Sequence, residues 1–139
     1  MKVAFYKSKE KLFNRFVAWW DDGPYSHCEV VLEEDGENKT FASSSYLDGG
    51  VRTKTWIPNP DSWDYLEVDC DLEYAKQWFK DNDGKNYDVL GLLGFILRRG
   101  TQDQSKFFCS EAVAAALKMD EAWRYDPNIL YLRLKEARR

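Results

Sequence analysis

The stretch "SKFFCSEAVAAAL", residues 105–117, places a cysteine just ahead of an Ala-rich segment. Ala112, Val113, Ala116 and Leu117 recur at helical spacing, which predicts a helix with Cys109 at or just inside its N-terminus. Unpaired backbone N–H groups and the helix dipole favour a thiolate there. A lowered thiol pKa is what a cysteine nucleophile needs. The competing reading is a small buried packing residue, the usual fate of a free cysteine.

Any proton acceptor of imidazole type must be His27, the single histidine of the chain, in "PYSHCEVVL" (24–32). Imidazole titrates near neutrality and takes a proton from a thiol at that pH. Sequence separation is no obstacle, because catalytic partners meet in space. Cys28 follows His27 directly and is expected on the opposite face of its strand. Cys70 precedes a candidate N-cap and reads as structural. Glu111 is a first-turn carboxylate suited to the helix dipole, and its charge opposes thiolate formation nearby.

Other chemistries fail on spacing. "DNDGKNYD" (81–88) has its glycine at the wrong position for a calcium loop. One histidine and three scattered cysteines do not make a zinc site, so no metal is expected. "DGG" (48–50) is a turn without the strand, lysine and helix of a phosphate-binding loop. No cofactor is expected.

The elements that must position Cys109 and His27 come from 139 residues, enough for one domain spanning 1–139. Aromatic residues make up 16% of the chain and supply core area at this size. The net charge of −4 argues against a nucleic-acid partner. "VLGLLGFIL" is far too short for a membrane span, and "MKVAFYKSKEKLF" lacks the apolar core of a secretion signal. An odd cysteine count without CxxC spacing fits a reducing compartment, so the expected location is cytoplasmic.

Hydrophobic patterning predicts a strand at 2–6, a helix at 8–20 capped by Ser8, and a strand beginning at Tyr25. A turn at "EDGENK" leads to the partner strand "TFASSS", and a Gly-Gly turn leads to another extended piece. "DYLEVDC" (64–70) reads as a strand. Asp71 caps a helix whose stripe is Tyr74, Ala75, Trp78 and Phe79, with Gly84 as stop signal. A buried helix over "NYDVLGLLGFILRRG", the polar loop "TQDQSK", the Cys109 helix and a short extended or helical tail after Pro127 complete the chain. Mixed order gives an α+β class, with a central antiparallel sheet packed against helices.

Taken in order, "YSHCEVVL", "SSSYLDGGVR", "GKNYDVLGLLGF" and "FFCSEAVAAAL" resemble the circularly permuted papain-like cysteine hydrolases. The resemblance covers roughly residues 3 to 130, and is nearest to the YiiX-like branch of the NlpC superfamily, relatives of lecithin retinol acyltransferase. In that group the histidine strand precedes the cysteine helix, as His27 precedes Cys109 here.

The resemblance implies a permuted papain-like fold and a hydrolase or acyltransferase of amidase, peptidase or thioesterase type. Its substrates would be peptides, lipids or other acyl and amide compounds. Cys109 matches the nucleophile and His27 the general base. The group that orients the imidazole lies, in such proteins, on the strand after the histidine strand. Here that strand offers only Ser43, Ser44 and Ser45, of which Ser43 is favoured. Glu29, two residues beyond His27 on the same strand face, is the alternative orienter. Tyr25 matches a "Y-x-H" placement, and its hydroxyl would donate to an oxyanion beside the Cys109 N–H, or simply pack. The serine-only strand also motivates a second expectation, a catalytically weak or inactive binding module on the same fold.

Overall fold

Val3 and Phe5 point to one side of "KVAFYK" and Ala4 to the other, and all three are fully buried. A strand apolar on both faces belongs inside a sheet. This strand, β1 (Lys2–Lys7), pairs antiparallel with β2 (Tyr25–Asp35) on one side and β5 (Trp63–Glu67) on the other. Strand β2 continues to β3 (Asn38–Ser45), and β3 to β4 (Gly50–Trp56). The result is one five-stranded antiparallel sheet of order β4-β3-β2-β1-β5.

The computed structural model describes residues 1–7, 24–45, 48–85, 104–122 and 125–137, with the backbone alone for 104–108. Across these the class is α+β: the sheet and three helices, α1 (Leu72–Asn82), α2 (Gln104–Ala116) and α3 (Pro127–Ala137). The expected helices over 8–20 and "NYDVLGLLGFILRRG" lie outside the described residues. No helix among the described residues is long and apolar enough to cross a membrane.

Local chemistry sets the ends of these elements. The β2–β3 hairpin turns through Gly36 at φ +61°, a left-handed position where glycine carries no Cβ penalty. The Asp71 side chain accepts from the Tyr74 N–H at 3.1 Å and caps α1 as expected. Asp126 does the same for α3, accepting from the Ile129 N–H at 2.8 Å, with Pro127 in the first turn. The tail after Pro127 is therefore helical rather than extended.

One face of the sheet carries Val3, Phe5, Val30 and Leu66, and the helices close over it. Helix α1 contributes Ala75 and Phe79, α2 contributes Ala112, Val113, Ala116 and Leu117, and α3 contributes Leu130 and Leu134. Tyr74 of the expected α1 stripe is exposed instead, beneath the Lys118 ammonium at 4.4 Å. Over residues 109–116 helix α2 is buried nearly all round, since Ser110 and Ala114 are covered as well. Its small side chains let it lie close against β2 and β3. The other face is aromatic: Phe41 stacks on Trp56 at 4.2 Å and on Trp63 at 5.3 Å, over Ala4 and Val31.

Helix α2 starts at Gln104, earlier than the sequence suggests, because "QSK" joins the helix rather than the polar loop. Cys109 therefore sits in the second turn and not at the N-terminus. Its N–H is an interior helical donor rather than one of the unpaired groups of the first turn. This removes the helix end as the reason for a lowered thiol pKa, and removes the Cys109 N–H as an oxyanion donor.

Candidate active site

The site forms where β2 and β3 part. Their ladder begins at Val30 opposite Ala42, so Cys28 is not paired with β3 in the ordinary way. In a strand the N–H and C=O of one residue point to the same side. At Cys28 the carbonyl is taken by the Ser43 hydroxyl, which donates to it at 2.8 Å. The Cys28 N–H donates to the sulfur of Cys109. Cys109 thus fills the gap in the ladder, brought there by α2.

Two side chains of β2 meet it in that gap. The His27 imidazole lies within hydrogen-bonding reach of Cys109. The Cys28 thiol, on the helix-facing side, is 3.9 Å from the Cys109 sulfur. Both cysteines are fully buried, whereas the His27 side chain is 24% exposed.

Behind His27 stands Glu29, whose carboxylate takes the imidazole Nε2 on Oε2. The same carboxylate receives the Arg52 guanidinium on both oxygens, Nη2 reaching Oε2 at 2.7 Å and Nη1 reaching Oε1. Such fork-to-fork pairing fixes the carboxylate plane as well as its charge. Arg52 in turn donates from Nε to Asp48 at 2.9 Å, in the turn before β4. Glu29 has no exposed surface, a position a carboxylate occupies only when paired.

The serine strand has a physical role in this arrangement. Ser43 is the cross-strand partner of Arg52, and β3 lies between β4 and β2. A small side chain there lets Arg52 reach across β3 to Glu29. Ser43 itself faces the Cys28 carbonyl, so the group contacting the imidazole from behind is Glu29 and not Ser43.

Charge follows from these contacts. Burial alone would raise the Cys109 pKa, but the Cys28 thiol, the His27 charge and the Cys28 N–H outweigh it and bring it down to about 5. Burial alone would lower the His27 pKa, yet the neighbouring Cys109 and Glu29 charges raise it to about 10. Glu29 is held below its ordinary value by His27 and Arg52 in spite of burial. The Cys28 thiol is pushed well up, first by burial and then by Cys109. These shifts favour a thiolate–imidazolium pair, with Cys28 as a neutral donor beside it.

Tyr25 is placed differently from an oxyanion donor. Its hydroxyl donates to Asp64 at 2.6 Å, and Lys7 pairs with the other oxygen of Asp64 at 2.7 Å. Its ring packs against Phe5 and Tyr131. Glu111 is half-buried, and burial raises its pKa.

Three contributing residues escaped sequence reasoning. Arg52 and Asp48 support Glu29 from another hairpin, and only their ±4 spacing hinted at a pair. Asn128 is buried in the first turn of α3 and grips the β2 backbone. It accepts from the Tyr25 N–H at 2.9 Å and donates to the Tyr25 carbonyl at 3.0 Å. The described residues contain no cluster able to hold a metal ion. An open cleft lined by Met1, Glu67, Cys70 and Leu134 includes none of the Cys109 group.

Comparison with protein-family models, with curated proteins and with solved structures finds no match to this chain.

Proposed function

We propose that this chain is a cysteine hydrolase or acyltransferase on a circularly permuted papain-like fold, with Cys109 as nucleophile, His27 as acid and base, and Glu29 as orienter. The supporting observation is the continuous line Cys109–His27–Glu29–Arg52, in which each charge is held by the next. A nucleophile, a base and an orienting group in this order are what acyl transfer through a thioester requires.

The Cys109 thiolate attacks the carbonyl carbon of a peptide, lipid or other acyl or amide substrate. The His27 imidazolium gives its proton to the departing amine, alcohol or thiol, and a thioester remains on Cys109. Neutral His27 then takes a proton from water or another acceptor, whose oxygen or nitrogen attacks the thioester and releases the thiolate. Glu29 keeps Nε2 engaged and stabilises the imidazolium whenever it forms. The location proposed with it is the cytoplasm, on the ground of an odd cysteine count without CxxC spacing.

Incubation with a panel of activated amides, esters and thioesters, followed by intact mass, tests the proposal. An acyl adduct on Cys109 that is absent from Cys109→Ala is expected. No adduct across the panel, or one that persists in Cys109→Ala, overturns it. The full burial of Cys109 favours a second reading, a catalytically silent binding module, and the adduct-free outcome is the one it predicts.

A further inference from the structure

Cys28 donates to the Cys109 thiolate but takes no covalent step in acyl transfer, and its thiol lies 3.9 Å from the nucleophile's sulfur. We propose that Cys28 and Cys109 form a peroxide-responsive pair, in which a hydroperoxide oxidises Cys109 and Cys28 then closes on it as a disulfide. The modification site is thus built into the candidate active site, and closing it switches the nucleophile off reversibly.

The geometry orders the two steps. Cys109 carries the stabilised thiolate, and the thiolate is the form that peroxide oxidises. Its sulfur attacks one peroxide oxygen, the O–O bond breaks, and the His27 imidazolium protonates the departing oxygen. From hydrogen peroxide the products are Cys109 sulfenic acid and water. The Cys28 sulfur then attacks the Cys109 sulfur and the S–O bond breaks. The hydroxide that leaves combines with the Cys28 proton as a second water. The two thiols are oxidised by two electrons, and the peroxide is reduced by two.

Cys28 is suited to the second step alone. Its thiol is pushed up by burial and so resists direct oxidation. It sits on β2, whose backbone at this residue already touches the Cys109 sulfur. The sulfurs need only close from 3.9 Å to the roughly 2.0 Å of a disulfide bond. Both are fully buried side by side, so each sulfur has the other as its nearest thiol partner. Cys70 lies beyond β5, in the separate cleft beside Met1 and Leu134.

The test is stoichiometric hydrogen peroxide on the reduced protein, read by intact mass and non-reducing peptide mapping. The expected product has lost two hydrogens, links the peptides holding Cys28 and Cys109, and returns to the starting mass with dithiothreitol. In Cys28→Ser the same treatment should leave one oxygen on Cys109, and excess peroxide should add more. If that variant fails to fold, the wild-type peptide map decides by itself. Oxygens gained at Cys109 without a link, a link to Cys70, or no oxidation of Cys109 overturns the proposal. It shares the Cys109 thiolate with the proposed function but needs no substrate. A chain that forms the disulfide but no acyl-enzyme therefore overturns only the hydrolase proposal, and the converse result overturns only this one.

Discussion

Glu29, without exposed surface, holds the His27 ring nitrogen and the Arg52 guanidinium on one carboxylate. A buried negative charge between two cationic partners is stable, and removal of its charge leaves Arg52 facing a neutral group. Glu29→Gln should lower unfolding free energy by about 3 kcal/mol. It should also raise the Cys109 pKa, because a less basic imidazole holds a thiolate less well. Urea unfolding and thiolate ultraviolet absorbance read the two effects. An unchanged midpoint of the thiolate absorbance step near pH 5 would sink the role assigned to Glu29.

The ion pair has a defined pH window. The Cys109 pKa is depressed from 9.0 to about 5, so its contribution to stability is complete above 9.0 and vanishes as pH falls through about 5. The His27 pKa is raised from 6.5 to about 10, so its contribution is complete below 6.5 and vanishes as pH rises through about 10. The sum is level between 6.5 and 9.0 and falls on both sides. Unfolding of wild type against Cys109→Ser across pH should trace this plateau. A thiolate absorbance step near pH 5 should be lost in the same variant. A step at an ordinary thiol pKa would contradict the pair.

Ser43 separates packing from chemistry. Ser43→Ala removes one buried hydrogen bond, to the Cys28 carbonyl, and should cost about 1 kcal/mol while the Cys109 thiolate persists. Ser43→Leu fills the space that Arg52 crosses to reach Glu29, and should raise the Cys109 pKa as Glu29→Gln does. If Ser43→Ala alone abolishes the thiolate, Ser43 orients the imidazole after all.

Tyr25→Phe deletes a hydroxyl committed to Asp64, which is part-exposed and also held by Lys7. A loss of about 1 kcal/mol is expected, with acyl-enzyme formation retained within a few-fold. A fall of about a hundredfold or more in acylation rate would return Tyr25 to the oxyanion role.

Asn128→Ala leaves the Tyr25 N–H and carbonyl without their side-chain partner, two residues from His27. Each unsatisfied buried group costs about 1–3 kcal/mol, so a loss of several kcal/mol in unfolding free energy is expected. Near-wild-type stability would show that β2 does not depend on α3 for its start.

Much of the local structure was legible along the chain. Alternation in "KVAFYK" and "YSHCEVV", the glycine turn at Gly36 and the Asp71 cap each act within a few residues, so the sequence states them directly. That His27 and Glu29 share a strand face was equally legible, since a strand returns to the same face every second residue, but the sequence favours Ser43 over Glu29 as the orienter. The polar side chains of "QSK" suggest a later start for α2, but the segment holds no helix breaker and the helix runs back through it to Gln104.

The sequence by itself determined which groups were available: one imidazole, three thiols, a carboxylate two residues from the imidazole, and a strand of small hydroxyls. Only the tertiary structure decided their use. Whether Cys109 is a thiol or a thiolate depends on a gap in the β2–β3 ladder that brings it to His27 and to the Cys28 N–H. Whether Glu29 or Ser43 stands behind the imidazole depends on Arg52, which arrives from β4 across β3 and is paid for by no local signal. The cause is general: backbone propensity and alternation decay within a few residues, whereas a buried charge is fixed by whichever partners the fold brings within hydrogen-bonding distance.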